Sequence, residues 1–230
     1  MARLLVHVEG QTEEDFVNDV LCEHLVNRGY DSVGARIVGN NRLRAKRGGI
    51  RRWPVVRKDI VKHLHHDNSC IATTMVDFYG LPQQGPGAWP GRASAANQST
   101  NEKALIVERA LLKDIASLMG ANFDASRFVP YVMMHEFEGM LFSDCAAFSN
   151  GIGKPNLEQD FREIREEFAS PEDINDSVVT APSKRIEAIL PGYEKPLLGT
   201  LAVLEIGLTR IRAECPHFAE WLTRLESLVA

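Results

Sequence analysis

The sequence has no long apolar run, few cysteines and no repeated segments, and each absence narrows the class of protein. No stretch of about 18 consecutive apolar residues occurs, so no membrane span is expected. The N-terminus becomes charged too early for a secretory signal. The cysteines stand far apart without a CxxC pair, which indicates free thiols in a reducing compartment rather than zinc ligands; they are Cys22, Cys70, Cys145 and Cys215. We therefore expect a cytoplasmic globular protein with no membrane partner.

Positive charge is concentrated in one stretch of the chain. The segment Arg42–Lys62, called the basic segment below, holds nine basic residues and one aspartate, a formal charge of +8. Because the whole chain carries −5, the other residues carry −13. Such a stretch can bind the phosphates of nucleic acid, or it can be a solvated loop. Trp53 can stack on a base or belong to the core. The candidate nucleic-acid-binding residues here are Arg44, Lys46, Arg47, Arg51 and Arg52.

The apolar patterns predict an α/β fold. Short apolar or β-branched runs predict strands at 3–8, 32–38, 70–76 and 127–134, and helical spacing predicts helices between them, the first of them capped by Thr12. This alternation predicts a mainly parallel sheet flanked by helices within residues 1–150. Residues 151–230 are expected to form a helical part packed on that sheet, with helices at 157–168, 183–190, 196–213 and 217–228. Glycine and proline between 78 and 101 predict a mobile or functional loop.

Acidic residues follow three of the predicted strands. Glu9 follows the first strand, Asp77 the third, and Glu136 and Glu138 the fourth. Since parallel strands end at the same edge of a sheet, where ligands bind, we expect these acids to lie together. Mutually repelling carboxylates are neutralised by a cation, and oxygen ligands favour Mg²⁺ or Mn²⁺, which can activate water for phosphodiester cleavage. The alternatives are a helix-capping Glu9, a turn-forming Asp77, and a solvated Glu136 and Glu138.

Three groups of polar residues are open to more than one interpretation. Glu136 and Glu138 can serve one metal only in an extended segment, because on a helix they diverge. Four histidines can ligate metal, although exposed helix surface is the simpler interpretation; they are His63, His65, His66 and His135. Lys184 and Arg185 lie at a predicted helix start, where main-chain donors favour anions such as phosphate. Helix capping with a salt bridge is the alternative for that pair.

Several segments resemble known proteins. The segment Val8–Glu14 resembles the VEGxTE opening of Toprim-type nucleases, which include the overcoming-lysogenization-defect enzymes and their smaller relatives. Met75–Pro82 and His135–Asp144 are similar to the second and third blocks of domain-of-unknown-function family 4276. Ala181–Ile186 and Cys215–Phe218 are similar to its C-terminal blocks. The resemblance extends over essentially the whole chain.

The resemblance implies a Toprim-like fold and a magnesium-dependent nuclease site. Glu9 would be a general acid/base or a ligand, and Asp77 and Glu138 would be ligands. It also implies a role in phage defence beside an ATPase partner, which must be another subunit because this chain contains no P-loop.

The second motif departs from the Asp-x-Asp pair that is usual in Toprim proteins, since Tyr79 stands at its second position. Glu136, Glu138 or Asp144 can replace the missing ligand. Otherwise the site binds one metal weakly or catalyses nothing. The missing aspartate favours a non-catalytic module that binds an ATPase partner or nucleic acid. A primase-like phosphotransfer enzyme ranks third.

Overall fold

The computed structural model describes residues 2–39, 49–175 and 180–229. By its internal contacts the chain divides into two compact units. The first unit comprises Met1–Val132 and Thr223–Ala230, and the second comprises Met133–Leu222. The predicted boundary after residue 150 falls within the second unit.

A mainly parallel sheet organises the first unit, with the strand order β2-β1-β3-β4 in its described residues. β1 (Arg3–Val8) pairs in parallel with β2 (Ser32–Ile37) and β3 (Cys70–Asp77), and β3 pairs in parallel with β4 (Phe128–Val129). A short strand, β5 (Val132–Met133), also pairs with β3. β3 is buried from Cys70 to Val76, as expected for a parallel strand that is covered on both faces.

The predicted strand over 127–134 is interrupted. Pro130 lies between β4 and β5, and proline has no amide hydrogen to donate to a neighbouring strand. The next residue, Tyr131, donates its amide to the Thr74 hydroxyl oxygen at 3.0 Å instead of to a main-chain carbonyl. The same hydroxyl donates to the Tyr131 carbonyl at 2.9 Å. A side chain of β3 thus satisfies both main-chain polar groups of Tyr131 at the interruption.

Helices connect the strands of the first unit. The run between β1 and β2 consists of α1 (Gln11–Phe16), a π-helical segment (Val17–Leu21) and α2 (Cys22–Asn27). α3 (Trp53–His66) follows β2, and α4 (Thr100–Met119) follows β3. α2 packs on β2, and α3 packs on β3 and against α4. Right-handed crossovers with this strand order place the first connection on one face and α3 and α4 on the other. The predicted fold class, a mainly parallel sheet flanked by helices, is confirmed.

The segment between β3 and α4 is irregular, as predicted, but it has its own buried side chains. A 3₁₀ turn at Phe78–Gly80 leads into a series of turns. Leu81, Trp89 and Ala95 are buried. Gly91 has a φ of 77°, and a Cβ there would lie 2.8 Å from the Ile106 carbonyl oxygen, so only glycine permits this approach to α4. The predicted mobility of the segment stays a prediction.

The second unit is helical in its described part. Its helices are α5 (Cys145–Gly151), α6 (Glu158–Glu166), α7 (Pro182–Ile189), α8 (Lys195–Ile206), α9 (Leu208–Glu214) and α10 (Pro216–Ser227), the last of which ends in the first unit. The predicted helix over 196–213 is interrupted at Gly207, whose φ of 76° ends α8. The rings of Phe148 and Phe161 stack 4.2 Å apart in its core. None of the described helices is long and apolar enough to cross a membrane.

Candidate functional site

Glu9 and Asp77 stand at the ends of two neighbouring parallel strands of the first unit. Val8, the last residue of β1, pairs with Met75 of β3, and Glu9 follows directly. Asp77 is the last residue of β3. Both side chains are half-buried, while Oε2 of Glu9 and Oδ1 of Asp77 are buried. The sheet therefore brings two carboxylates from distant parts of the sequence to the edge where parallel α/β sheets bind ligands.

The Glu9 carboxylate reaches the turn that directly follows Asp77. A Cβ on Gly80 would lie 3.2 Å from Oε2 of Glu9 and 3.4 Å from Oε1. The glycine thus leaves room for this carboxylate beside the Phe78–Gly80 turn. The Asp77 side chain does not cap that turn, which argues against the turn-forming alternative. Gly80 was not singled out from the sequence, because its small size matters only once the fold brings Glu9 beside it.

Other acids near Glu9 have structural roles. Glu13 accepts a hydrogen bond from the Gly10 amide at 2.9 Å and so caps α1. The Gln11 amide group donates to Glu14 at 2.9 Å and to Asp15 at 2.8 Å. The prediction of Thr12 as the cap is wrong, since Gly10 is the N-cap residue and the helix starts at Gln11. Capping by Glu13 also removes the need for Glu9 to serve that purpose.

Arg92 holds the chain just after Asp77. Its Nε donates to the Phe78 carbonyl at 3.1 Å, and its guanidinium lies 3.9 Å from the centroid of the Phe78 ring. In the orientation in which the Gln83 side-chain oxygen faces Arg92, this oxygen accepts hydrogen bonds from both terminal nitrogens of Arg92, at 3.0 and 3.1 Å. Burial lowers the pKa of Arg92, and Tyr79 opposes this shift. Sequence reasoning missed this residue because an arginine in an irregular segment has no periodic pattern.

Glu136 and Glu138 form a second pair of carboxylates, in the second unit. Glu136 has an extended backbone and Glu138 lies in the first turn of a 3₁₀ segment, Phe137–Ser143. Lys195 Nζ donates to Oε2 of Glu138 at 3.1 Å and lies 4.0 Å from Oε1 of Glu136. The Ser183 amide, at the start of α7, donates to Oε2 of Glu136 at 3.0 Å. The alternative of two solvated acids is wrong for Glu138, which is only 2% exposed.

The electrostatics of this second pair follow from its burial. Burial raises the pKa of Glu138, Lys195 opposes that rise, and the Glu136 charge adds to it. Tyr193 is 7% exposed, and burial together with Glu138 and Glu136 raises the pKa of its hydroxyl. Among the described residues, that hydroxyl makes no hydrogen bond. Lys195 and Tyr193 were missed in the sequence because they come about 60 residues after the acids that they approach.

The predicted histidine placements hold only in part. His65 and His66 are exposed on α3, as expected. His63 is half-buried, and its Nδ1 lies 3.2 Å from Nε2 of the fully buried His7. His135 is not on an exposed helix, because it is 4% exposed with a φ of 72° and directly precedes Glu136. Nδ2 of Asn175 lies 3.2 Å from its Nδ1.

The predicted nucleic-acid-binding residues fall into three groups. Arg44, Lys46 and Arg47 lie outside the described residues. Arg51 is half-buried and Arg52 is exposed. Lys184 pairs with Glu187 at 2.7 Å, and Arg185 pairs with Glu167 at 3.0 Å, in accord with the salt-bridge alternative. Contact of these residues with nucleic acid stays a prediction.

Of the two alternatives for Trp53, base stacking and the core, the structure favours the core. It is 3% exposed, and its indole N–H donates to Asp114 at 2.8 Å. Its ring packs against Trp89, with the centroids 4.9 Å apart. A buried indole whose polar edge is already bonded offers no face to a base.

The two carboxylate pairs differ in how well they fit a divalent cation. Mg²⁺ is commonly held by one or two carboxylates while it keeps several waters, and Glu9 and Asp77 supply such donors. Glu136 and Glu138 do not fit, because Lys195 and the Ser183 amide already bind their oxygens. No group of three or more His, Cys, Asp or Glu side chains that could hold a metal occurs in the described part of the chain. Glu138 belongs to the other unit, and its sharing of one ion with Glu9 and Asp77 stays a prediction.

Comparison with known proteins assigns the chain to a family. A family model described as a domain of unknown function (DUF4276) matches residues 8–226. No curated protein matches the chain. Among solved structures, the chain is similar to the C-terminal region of the OLD protein of Xanthomonas campestris pv. campestris, with a TM-score of 0.43 and 11% identity over 100% of this chain and 96% of that one. At this level of similarity the neighbour carries no argument about chemistry, so the site is argued from the residues of this chain alone.

Proposed function

The chain belongs to the DUF4276 family, and from that premise we propose that it is a metal-dependent phosphodiesterase of the nuclease type, in which Glu9 and Asp77 hold Mg²⁺ or Mn²⁺. One observation carries the proposal: the Glu9 carboxylate reaches the turn after Asp77, at the edge where β1 and β3 end. The structural alternatives for both residues are weaker, since Glu13 caps α1 and Asp77 does not cap its turn.

Each residue has a definite role in this proposal. Asp77 binds the ion, and Glu9 either binds it as well or accepts the proton of the attacking water. When bound, a divalent ion would supply charge stabilisation at the phosphate and a more acidic water. The cations of the basic segment hold the substrate backbone, which is a polyanion. The substrate is therefore DNA or RNA bound through its phosphates.

We propose a setting in phage defence, as effector or accessory subunit beside an ATPase. The support is the resemblance of Val8–Glu14 to the opening of Toprim-type nucleases. Residues 1–230 contain no P-loop, so the ATP-binding site of this setting would lie outside them. Co-purification of the tagged chain with an ATPase from its own cells would support this setting.

A cleavage assay tests the enzymatic proposal directly. Single- and double-stranded DNA and RNA are incubated with the protein and Mg²⁺ or Mn²⁺. We expect cleavage by the wild type, its loss in Glu9→Gln and Asp77→Asn, and wild-type cleavage by the matched control Glu14→Gln, whose residue bonds to Gln11. Equal cleavage by wild type and Glu9→Gln would show that the site lies elsewhere.

The second candidate function is a non-catalytic module that binds nucleic acid or an ATPase partner. Two observations favour it: Tyr79 stands where a second aspartate is usual, and Lys195 neutralises the Glu136–Glu138 pair. Binding to nucleic acid in a gel-shift assay, without cleavage under any metal condition, is the expected result for such a module.

A further inference from the structure

The positive charge beside the Glu136–Glu138 pair comes from a lysine of the same chain. Lys195 Nζ lies 3.1 Å from Oε2 of Glu138 and 4.0 Å from Oε1 of Glu136. The Glu138 side chain is only 3% exposed, so its charge has little contact with water. Two carboxylates brought together at a buried place need a cation nearby, and here the ammonium group supplies it.

Lys195 lies at a position in the fold where a positive charge is otherwise unfavourable. It is the first residue of α8, where the helix dipole disfavours a positive charge. The attraction of the two carboxylates offsets that disadvantage. Its side chain is 41% exposed, so the ammonium can leave for solvent without disturbing the core.

The surroundings contain a further oxygen that could join a cation. Tyr193 is buried, and the charges of Glu138 and Glu136 add to the burial that raises the pKa of its hydroxyl. It makes no hydrogen bond to any residue that the structure describes. The carboxylate oxygens are the hard donors that Mg²⁺ and Mn²⁺ prefer, whereas the protonated phenol would contact such an ion through its bound water.

We propose that Lys195 is the resident cation of the Glu136–Glu138 pair, and that the pair becomes a divalent-cation site only when this ammonium is removed. A Mg²⁺–oxygen bond is about 2.1 Å, so an ion bound to both acids would need the space that the ammonium occupies. This inference does not depend on Glu9 or Asp77, which lie in the other unit. It assigns Lys195 the role of excluding divalent ions from the second unit.

Counting bound Mn²⁺ by isothermal titration calorimetry tests this role in the full chain. We expect Lys195→Met to bind one more Mn²⁺ than the wild type, and Lys195→Met/Glu138→Gln to lose that extra ion. Lys195→Arg and the matched control Lys154→Met, whose residue is exposed in the same unit, should bind as the wild type does. The gain should persist when Glu9→Gln is added, which separates this inference from the proposed function.

Two results would overturn the inference. One is an unchanged Mn²⁺ count in Lys195→Met. The other is a reduced count in Glu138→Gln with Lys195 present, since the pair would then already hold metal. If Lys195→Met unfolds in metal-free buffer, recovery of its circular dichroism in millimolar Mn²⁺ supports the inference, and failure to recover contradicts it.

Discussion

Replacing Gly80 by alanine should weaken metal binding without weakening the fold. The added Cβ would lie 3.2 Å from Oε2 of Glu9, 3.4 Å from its Oε1 and 3.4 Å from Cβ of Ile50. To relieve these contacts the Glu9 carboxylate must shift by a few tenths of an ångström. Mg²⁺ demands near-ideal octahedral geometry with bonds of about 2.1 Å, so such a shift is costly for the bound ion. We expect roughly tenfold weaker affinity, or about 1.4 kcal/mol.

The free energy of unfolding should change in a different way. Alanine restricts the unfolded chain and stabilises a compatible site by about 0.4–1 kcal/mol, which offsets the new contacts. Titration of Mn²⁺ and urea unfolding measure the two effects separately. The control is Gly34→Ala in β2, where the new Cβ meets no atom within 4 Å. A folded Gly80→Ala protein with wild-type affinity would refute the assignment of Glu9 as a ligand.

Three other predictions concern groups outside the proposed metal site. Burial and the neighbouring His63 lower the pKa of His7 to about 3 in the folded protein. Below pH 6.5 the unfolded state therefore binds more protons than the folded state. The free energy of unfolding then falls with falling pH, by at most about 1.4 kcal/mol per pH unit. Urea unfolding between pH 7 and pH 5 should show a weaker pH dependence in His7→Leu, and an equal dependence would contradict this. Glu172 caps α10, because its carboxylate accepts hydrogen bonds from the His217 and Phe218 amides at 2.8 and 2.9 Å. Glu172→Ala should therefore lower the free energy of unfolding in urea by roughly 3 kcal/mol. A loss under about 0.5 kcal/mol would reject this capping role. Alanine at the five candidate cations of the basic segment should weaken nucleic-acid binding and flatten its salt dependence, whereas an unchanged slope would indicate a solvated loop.

Patterns with a clear period were predicted well from the sequence. The first three strands lie where the apolar patterns placed them, and α3 occupies the interval in which a helix was predicted between the second and third strands. Both follow because burial of one face is encoded locally. The break at Pro130 was also readable in principle, since proline removes a strand donor. The end of α8 at Gly207 belongs to the same class of local signal.

Features that depend on tertiary contacts could not be read from the sequence. The position of Glu9 and Asp77 at strand ends follows from the strand pattern, but the approach of Glu9 to Gly80 does not. Lys195 reaches Glu138 across 57 residues of sequence, a contact that no local rule predicts. The sequence leaves Trp53 open between base stacking and the core, because its burial depends on Asp114 and Trp89, which are distant in sequence.

The most direct test of the account is a Mn²⁺ titration of the wild type, Glu9→Gln and Asp77→Asn, with the stability of each protein measured in metal-free buffer. We predict that the wild type binds Mn²⁺, and that both variants lose this binding while remaining folded. Asp77→Asn should be at least as stable as the wild type without metal, because it removes one of two repelling charges. Wild-type Mn²⁺ affinity in both variants, or unfolding of Asp77→Asn with no change in affinity, would contradict the assignment of these two carboxylates as a metal site.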